Sequence, residues 1–595
     1  MSESDAIGLA GENLRGASGL DQDAAPSSRK KRTKKSVASA VTQDTAEVPS
    51  EQPTSTEARA LAEPSLHGDA TAADVAAPNG AAPRGSEFEL KLLVDPERLA
   101  DFNEAPIIAA NARSKGTRKH LKSVYYDTPK RTLWRNGLSL RVRQSGARFL
   151  QTVKAESGDD PLRRGEWEAN VPSIAPDLSL AMPFIPDKLR TDLDAARLDA
   201  VFTTDIHRHQ RVVALPSGTV EIAFDQGILK SGDRATSVSE IELELKSGSP
   251  SAIYDLALRL AEHGSVQPSI RSKAARGFDL ADDAPPLARK PRKLRFDVSI
   301  PLDDAFATTL RAGLRHLLES LPAAEDGRDP EGVHQMRVAL RRLRSVLDLM
   351  RSVGSLNRLE AVRAEARWLT QSLSAAREWD IFQGDTLPAV AKGCPSIAGF
   401  DTLKEAAEKR RSAAYRKARF ILADRRCASF LIGLGGWIET RGWRADIPPE
   451  NLGQLVEPAA NLAGRMLSEQ HAKVLKRGRH FKSLTAEERH RLRLAVKKLR
   501  YLADFLLPLY GRKKSAKRFS AKLVELQEEL GSFNDMATTA SLLAGLGTEA
   551  LDSGAAVAAI TGWQAHAMAG SEPRLRSTWC DFVKTKPPWA RDAEA

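Results

Sequence analysis

The chain has 595 residues and a formal net charge of +12, a length that exceeds one hydrophobic core and predicts two to four domains. It has neither a run of about 18 or more apolar residues nor a basic-then-apolar N-terminal signal, so we expect a cytoplasmic protein without a membrane partner. Its three cysteines, Cys394, Cys427 and Cys580, lack CxxC or Cys/His metal spacing, which argues against a disulfide framework or a zinc site.

The excess of positive charge lies in the C-terminal half. Residues 1–85 contain 9 Lys and Arg against 12 Asp and Glu, residues 86–300 contain 33 against 30, and residues 301–595 contain 47 against 35. A basic surplus favours a polyanionic partner, although it is also compatible with a merely soluble basic protein.

Residues 1–85 are rich in Ala, Ser, Thr, Pro, Gly and Asp and show no sustained period, so they are predicted to form a disordered tail. The basic run at residues 29–35 is typical of a solvated charge run, with contact to a polyanion as the alternative.

From residue 86 to about residue 280 the pattern has period two. Strands are predicted at residues 87–94, 138–144, 148–154, 164–171, 208–215, 219–225 and 238–246. Short strands separated by Gly and Pro predict an antiparallel sheet or barrel, with helical insertions near residues 95–103, 186–201 and 250–263.

A proline-rich basic linker is predicted at residues 281–296. Beyond it the period becomes that of helices rich in Ala, Leu, Arg and Glu, so residues 297–585 are predicted to be all-α.

Charged residues share one face of several predicted strands, because side chains at i and i+2 point to the same side. The alternating sets are Glu87, Glu89 and Lys91; Arg141 and Arg143; Thr152 and Lys154; Arg164, Glu166 and Glu168; and Glu240, Glu242, Glu244 and Lys246. One such strand is typical of an exposed sheet face, but five favour a charged lumen in a closed sheet. Buried charges need partners, so the lumen is predicted to hold ions.

Clustered carboxylates are oxygen ligands that suit Mg²⁺ or Mn²⁺, whereas Arg and Lys bind phosphate oxygens. Together they predict a metal–phosphate substrate. The sequence has no Walker A loop, no Gly-x-Ser-x-Gly elbow and no persuasive Cys/His pair, and His207 and His209 are assigned to a strand edge rather than to catalysis.

Two segments of the helical half repeat at an offset of 156 residues (490 minus 334). Residues 334–344 read HQMRVALRRLR, and residues 490–500 read HRLRLAVKKLR. His and basic residues at i, i+3 and i+7 form one stripe of a helix. One stripe alone is typical of a solvated face, but its recurrence predicts a duplicated helical bundle whose two basic helices form a groove for a polyanion.

Residues 86–280 resemble the CYTH family, the triphosphate tunnel metalloenzymes. The matching motifs are Glu87-x-Glu89-x-Lys91, Tyr126-Asp127-Thr128, Leu140-Arg141-Val142-Arg143, Thr152-Val153-Lys154, Arg164-x-Glu166-x-Glu168, Arg208, the strand from Glu240 to Lys246, and Ser272-Lys273. The resemblance implies an eight-stranded antiparallel tunnel with flanking helices that hydrolyses triphosphates with Mg²⁺ or Mn²⁺.

The resemblance also implies roles for individual residues. Metal ligands are expected at Glu87, Glu89, Glu240, Glu242 and Glu244. Triphosphate-binding residues are expected at Arg141, Arg143, Lys154, Arg164, Arg208, Lys246 and Lys273. Lys91, Glu166 and Glu168 are expected at the reaction centre, without assignment of the residue that orients the attacking water.

Residues 297–585 resemble the CHAD domain, whose mark is the pair of basic helices. The resemblance implies a helical domain that binds inorganic polyphosphate. The residues expected to bind it are His334, Arg337, Arg341, Arg342 and Arg344, with His490, Arg493, Lys497, Lys498 and Arg500 in the second repeat.

The expected activity is cleavage of inorganic triphosphate to pyrophosphate and phosphate. A triphosphatase or cyclase acting on nucleotide or thiamine triphosphate is one alternative, and a non-catalytic protein that binds polyphosphate, for example at granules, is another. Nucleic acid ranks lower, because the basic stripes lack interleaved aromatic residues. The sequence carries no signal for an oligomeric state.

Overall fold

The structure is a computed structural model. It describes residues 87–155, 163–194, 197–297, 299–351, 353–354, 357–510, 514–547 and 552–589. The predicted tail at residues 1–85 lies outside these residues, and the side chains of two predicted site residues, Glu87 and Arg164, also lie outside the description.

Within the described residues, nine strands and seven α-helices form the N-terminal half. The strands are β1 (Glu87–Leu93), β2 (Thr117–Asp127), β3 (Leu138–Ser145), β4 (Arg148–Ala155), β5 (Arg163–Val171), β6 (Asp199–Leu215), β7 (Gly218–Ser231), β8 (Arg234–Gly248) and β9 (Gln267–Ser269). The helices are α1 (Leu99–Asn103), α2 (Pro106–Asn111), α3 (Thr132–Arg135), α4 (Leu178–Ala181), α5 (Asp187–Asp194), α6 (Ser251–His263) and α7 (Lys273–Asp282), with a 3-10 helix at Met182–Phe184.

The strands form one antiparallel sheet in the order β5-β4-β3-β2-β6-β7-β8-β1-β9. A short extra pairing joins β1 to β5, at Glu87↔Arg164 and Phe88↔Arg163. The two ends of the eight longer strands therefore meet over two residue pairs, and β9 adds a ninth strand beside β1. The sheet thus has one strand more than the eight expected.

Several elements differ in presence or length from the sequence-based prediction. The strand β2 was not predicted, β6 to β8 are longer than expected, and the helix expected at residues 186–201 ends at Asp194. The first four residues of β2 are all exposed. A strand segment with polar residues on both faces carries no apolar alternation, which is the signal that identifies a strand in a sequence.

The apolar faces of the strands point outward and are covered by helices. α1, α2 and α6 pack on β1, β7 and β8, where Leu92, Ile222 and Leu243 are fully buried. α3, α4 and α5 pack on β2 to β5 around Leu140 and Val142. Because the apolar side chains are used on the outside, the charged residues of these strands face the lumen.

One end of the lumen is filled by apolar side chains and α7. Phe278 of α7 stacks on Trp134 at a centroid distance of 4.6 Å and packs edge-on against Phe202 at 5.3 Å. A Cβ at Gly277 would lie 2.1 Å from the Phe202 ring, so only glycine allows α7 to approach this closely. The first residues of α7 are thereby held at the charged part of the lumen.

The C-terminal half is helical. Its α-helices are α8 (Leu302–Asp326), α9 (Glu331–Met350), α10 (Asn357–Ser372), α11 (Ser374–Ile381), α12 (Leu387–Gly393), α13 (Phe400–Leu422), α14 (Arg425–Glu439), α15 (Ala459–Arg477), α16 (Ala486–Leu506), α17 (Lys514–Glu529), α18 (Ser532–Leu546) and α19 (Gly554–Lys584). A π-helical turn spans Phe382–Thr386, and 3-10 helices span Arg444–Asp446, Pro449–Leu455, Phe481–Ser483 and Leu507–Tyr510.

The helix boundaries agree with the predicted duplication. α8 and α15 begin 157 residues apart (459 minus 302), and α9 and α16 begin 155 residues apart (486 minus 331). The two repeats also exchange equivalent backbone hydrogen bonds: Leu302 N donates to Glu457 O, and Ala459 N donates to Ile300 O, both at 2.9 Å. α9 packs against α16, so the two basic helices lie side by side.

A notch in α14 receives a tyrosine from the β-rich half. The Tyr254 side chain of α6 packs over Gly435 and Gly436, where a Cβ on Gly435 would lie 2.2 Å from the ring. Ala428 and Ile432 of α14 belong to the same apolar cluster as α6. The two halves are therefore joined by a packed interface as well as by the linker.

Among the described residues, no helix is both long enough and apolar enough to cross a bilayer.

The close packing of Tyr254 on α14 predicts that two nearby glycine substitutions on this helix differ in their effect on stability. Gly435→Ala should lower the free energy of unfolding by about 1–3 kcal/mol, because the new methyl group collides with the Tyr254 ring. Gly433→Ala on the same helix is the control, since no described atom outside the adjacent helix backbone lies within 4 Å of its Cβ position. This variant should be neutral or stabilise by up to about 1 kcal/mol through helix propensity. Calorimetric melting of both variants gives the comparison, and equal stability would contradict the interface.

Candidate active site

The charged face of the sheet encloses a cavity of about 190 Å³. Six basic and five acidic side chains line it: Lys91, Arg141, Arg143, Lys154, Arg208 and Lys273, with Glu89, Glu166, Glu168, Glu242 and Glu244. These eleven predicted site residues come from six strands and α7, and the fold brings them together in one cavity.

The strands β1, β7 and β8 form an acidic wall. Glu89 lies opposite Glu244, and Asp225 lies opposite Glu240. Asp225, Glu240 and Glu242 each offer a carboxylate oxygen, and these three atoms lie within 4.8 Å of one another. The donor set fits a hard divalent cation such as Mg²⁺.

Asp225 was missed by the sequence reasoning. Phe224 faces the outer core, so its neighbour Asp225 faces the lumen on the same side as Glu221. The predicted strand ended at Asp225, and the same alternation rule that selected the other strands would have identified it.

Basic side chains neutralise the deep part of this wall. Lys273 Nζ lies 2.6 Å from Asp225 Oδ2 and 3.0 Å from Glu242 Oε1. Arg208 donates to both carboxylate oxygens of Asp225, at 2.7 and 2.6 Å. Burial opposes ionisation of Glu242, but Lys273 and Lys91 hold its pKa well below its usual range. Burial also opposes the charge of Lys273, yet Asp225 and Glu240 raise its pKa.

The outer part of the acidic wall is less neutralised. Burial raises the pKa of Glu244, and the nearby carboxylates of Glu221 and Glu89 raise it further, against the opposing effect of Lys246. Lys246 Nζ lies 2.6 Å from Glu244 and 3.4 Å from Glu221. A carboxylate whose pKa is raised by neighbouring carboxylates marks a position that gains from an added cation.

The opposite wall, on β3 to β5, is basic. Arg141 Nη2 lies 3.3 Å from Glu166 Oε1, and Lys154 Nζ lies 2.7 Å from Glu166 Oε2. Arg143 makes no ion pair with any described residue, and its Nε is buried without a hydrogen-bond partner among them. Burial lowers the pKa of Arg143 to about 10, with the charges of Arg141 and Arg208 adding to the effect. This wall therefore favours an anion.

Tyr125 is a second lumen residue that the sequence reasoning missed. Burial opposes its ionisation, but Arg141 and Arg143 lower its pKa below the usual value. It pairs in register with Arg141 across β2 and β3. Its strand was not predicted, so the pattern offered no face on which to place this side chain.

The Tyr126-Asp127-Thr128 motif serves the fold. The buried Asp127 carboxylate accepts hydrogen bonds from the backbone N–H groups of Thr128, Leu133 and Trp134, at 2.7 to 2.9 Å. The Tyr126 hydroxyl donates to a backbone carbonyl outside the lumen. The motif thus anchors α3 against β2.

Four predicted site residues are not among the residues that line the cavity. Glu240 is fully buried behind the wall and paired with Lys273 and Arg276. Lys246 sits near the end of β8, where its side chain is 41% exposed. Of Glu87 and Arg164 only the backbone is described, and the two residues pair across the seam between β1 and β5.

Some basic side chains of helix α9 contact other groups within the domain. Arg337 donates to the carbonyl of Thr370 and to the hydroxyl of Ser374, both at 2.7 Å. Arg341 lies over the Tyr501 ring of the other repeat, 5.9 Å from its centroid. His334, Arg342 and Arg344 are half-buried. Only part of this stripe is therefore available to a ligand.

The second basic helix, α16, is more open. His490 and Lys498 are exposed, Lys497 is half-buried, and Arg493 is buried. Arg500 contacts the side chain of Gln527 at 3.3 Å. The paired helices thus present a mixed surface of exposed and internally bonded cations.

Comparison with known families assigns both halves. The family model of the CYTH domain matches residues 85–278, and that of the CHAD domain matches residues 308–544. The chain carries a CYTH domain followed by a CHAD domain. The predicted domain types and their order are confirmed.

Relatives of the chain include a Haemophilus influenzae protein named inorganic triphosphatase, 29% identical over 198 residues, which are 32% of this chain and 54% of the relative. The chain thus matches about half the length of that relative. An uncharacterized protein of Mycobacterium tuberculosis is 26% identical over 440 residues, covering 68% of this chain and 81% of that protein. A crystal structure of the CHAD domain from the plant Ricinus communis is 28% identical, with a TM-score of 0.44, over 50% of this chain and 98% of that one.

The basic wall of the CYTH domain predicts a pH-dependent stability. Burial opposes ionisation of Glu166, but Lys154 and Arg141 lower its pKa from 4.5 to about 2. A carboxylate with a depressed pKa stabilises the folded state fully above its unfolded pKa, and this contribution disappears as the pH falls from about 4.5 to about 2. Glu166→Gln should remove that part of the pH profile and lower stability at neutral pH by about 3 kcal/mol or more, because two cations no longer have their partner.

Denaturant unfolding between pH 2 and pH 7 measures this effect. Glu97→Gln, at an exposed position, is the control and should keep the wild-type profile. A Glu166→Gln profile parallel to that of the wild type would contradict the pairing.

Proposed function

We propose that the CYTH domain hydrolyses inorganic triphosphate to pyrophosphate and phosphate with a divalent metal ion. The observation that carries this proposal is the division of the lumen into an acidic wall and a basic wall. A metal–triphosphate complex presents a cation to one side and phosphate oxygens to the other, so its charges match both walls. The name of the Haemophilus influenzae relative supports the same activity.

The metal ion is best accommodated at the outer acidic corner. Asp225 is already neutralised by Lys273 and Arg208. At the outer corner the three carboxylates of Glu89, Glu244 and Glu221 are paired only with Lys91 and Lys246 among the described residues, which leaves an excess of negative charge. We therefore assign Glu89 and Glu244 as metal ligands. Glu242 lies between this pair and the inner pair of Asp225 and Glu240. When bound, the metal ion supplies Lewis-acid polarisation of the phosphoryl oxygens.

The phosphates are held by the opposite wall. Arg143 and Arg141 line the lumen, and a planar guanidinium binds two phosphate oxygens at once. Lys91 lies on the acidic wall, 2.8 Å from Glu242, where its ammonium would meet the phosphoryl group nearest the metal. These donors neutralise charge on the transferring group, which is most of what phosphoryl transfer requires.

Glu166 and Glu168 differ in their surroundings. Glu166 is held between Arg141 and Lys154 and so positions the phosphate-binding side chains. Glu168 accepts a hydrogen bond from the Thr152 hydroxyl at 3.4 Å and faces the same lumen. We therefore assign Glu168 to orient the attacking water.

The aromatic residues of the lumen favour a substrate made of phosphates alone. Tyr125 and Trp134 line the cavity, but Tyr125 is stacked on Phe202 and Trp134 on Phe278. Each ring therefore already has one face occupied, and most of the other lining residues are charged, so the cavity offers more contacts to phosphate groups than to a nucleobase.

Replacing Glu89 tests the metal site. Glu89→Gln should reduce phosphate release from tripolyphosphate with Mg²⁺ or Mn²⁺ by at least about tenfold, since it removes a ligand charge. The variant should remain folded, because Lys91 keeps its ion pair with Glu242 at 2.8 Å. Glu262→Gln, on the outer surface of α6, is the matched control.

Product analysis with tripolyphosphate, ATP and thiamine triphosphate identifies the substrate. Faster turnover of ATP or thiamine triphosphate than of tripolyphosphate would contradict the inorganic substrate. Equal rates for Glu89→Gln and the wild type would contradict the metal site, and absence of turnover with every substrate would favour a binding protein.

We further propose that the CHAD domain binds inorganic polyphosphate along α9 and α16. The basic surplus of the C-terminal half, 47 against 35 charges, provides the attraction. α9 packs against α16, and the pair carries the exposed Lys498 and His490 on α16 and the half-buried Arg344 on α9.

Charge substitution on α16 tests this surface. The double variant His490→Gln/Lys498→Gln should bind long-chain polyphosphate more weakly, and the slope of log affinity against log salt should fall by about 0.7 for each phosphate that the variant no longer neutralises. The variant Lys404→Gln/Lys409→Gln on α13, which changes two exposed lysines, is the control. Weaker binding in the α13 variant alone would place the site elsewhere, and tripolyphosphate hydrolysis should stay unchanged in both.

A further inference from the structure

Two histidines and an aspartate meet on the outer surface of the CYTH sheet. His120 of β2 lies directly opposite His207 of β6, and the next pair along the same face is Lys122 opposite Asp205. These positions alternate with Leu121 and Ile206, which pack inside the lumen. The three side chains therefore point away from the proposed reaction centre, and His120 and Asp205 are each 45% exposed.

The three side chains are arranged as potential ligands. The imidazole rings of His120 and His207 are stacked, with an interplanar angle of 6° and a centroid distance of 4.4 Å. His120 Nε2 lies 2.5 Å from Asp205 Oδ1. One nitrogen from each histidine and one carboxylate oxygen all lie within 4.8 Å of one another. Zn²⁺ lies about 2.0–2.2 Å from imidazole nitrogen and carboxylate oxygen ligands, so three atoms grouped this closely are candidates for a shared ion.

We propose that His120, His207 and Asp205 form a surface site for a divalent transition metal, with Zn²⁺ as the probe of choice. Two imidazole nitrogens and one carboxylate suit Zn²⁺, Ni²⁺ or Cu²⁺, whereas Mg²⁺ prefers oxygen ligands only. The site is thus chemically distinct from the carboxylate wall inside the lumen. Three protein ligands leave room for water or for a ligand from another molecule.

The sequence concealed this site for a physical reason. The prediction against a zinc site rested on cysteine spacing. The proposed ligands come from two different strands, and His120 and Asp205 are 85 residues apart in the sequence. The pairing of β2 with β6 brings them together, and β2 was not predicted.

Metal binding would join β2 to β6 where the two strands pair. The same two strands carry lumen residues on their other face: Arg208, which follows His207 directly, and Tyr125 of β2. The unfolded chain lacks the arranged ligands, so binding should stabilise the folded CYTH domain.

Lys122 offers a test that distinguishes a metal site from an ion pair. Its Nζ lies 3.8 Å from Asp205 Oδ2 and competes with a metal ion for that carboxylate. Lys122→Ala should therefore strengthen Zn²⁺ binding if Asp205 is a ligand. If His120 and Asp205 form only an ion pair, removal of Lys122 should leave Zn²⁺ binding unchanged.

The experiment uses the full chain without a histidine tag, stripped of metal and supplied with excess Mg²⁺ to occupy the lumen. Zn²⁺ titration by calorimetry should show about one equivalent bound by the wild type, with affinity reduced at least about tenfold in His120→Ala and in His207→Ala. His209→Ala is the matched control, because His209 lies on the same strand and contacts the Lys115 carbonyl instead. Zn²⁺ should also raise the melting temperature of the wild type and of His209→Ala, but not of His120→Ala.

Two outcomes would overturn the site. The first is a wild type that binds no Zn²⁺ under these conditions. The second is unchanged Zn²⁺ affinity in both His120→Ala and His207→Ala, since the metal would then be held elsewhere. Circular dichroism of the metal-free variants confirms that a reduced affinity reflects missing ligands and not an unfolded domain.

Discussion

The architecture of the CYTH domain depends on the pairing of charges inside a nearly closed sheet. A strand buries one face and exposes the other, and covering the outer apolar face with helices leaves the charged face enclosed. Enclosed charges are costly unless paired, and the structure pairs Lys273 with Asp225 and Lys154 with Glu166. The pairing is uneven: Arg143 on one wall and the Glu89–Glu244 corner on the other lack full compensation. That imbalance gives the lumen affinity for a ligand carrying both signs of charge.

Much of this could be predicted from the sequence, because period-two alternation is a local property. It identified Glu89, Lys91 and Glu242 before any fold was known, and all three line the cavity. Tyr125 was missed because the polar start of its strand hides the alternation. The position of Lys246 could not be predicted, since a register shift in the β7–β8 pairing alters the alternation near the end of the strand.

The helical half shows the limit of motif reasoning. The repeat at residues 334 and 490 predicted the duplication and the adjacency of α9 and α16 correctly, because internal symmetry implies equivalent packing. It could not show which cations face solvent. Arg337 is committed to the Thr370 carbonyl, whereas Lys498, on the partner helix, is exposed. Whether a basic side chain binds a ligand or caps a neighbouring helix depends on packing against other elements, which a stripe pattern does not encode.

The backbone hydrogen bonds between residues 300–302 and residues 457–459, together with the packing of α9 against α16, have a consequence for biosynthesis. The surface of α9 that packs on α16 is complete only after about 155 further residues have been translated (486 minus 331). At about 5–20 residues per second this takes roughly 8–30 s. During that interval the first repeat exposes apolar surface to the ribosome exit and to chaperones. The CHAD half is thus a long-range, late-closing structure. The CYTH half forms several hairpins between neighbouring strands as they emerge, but its sheet also closes late, because Glu89 of β1 pairs with Glu244 of β8, 155 residues further along the chain (244 minus 89).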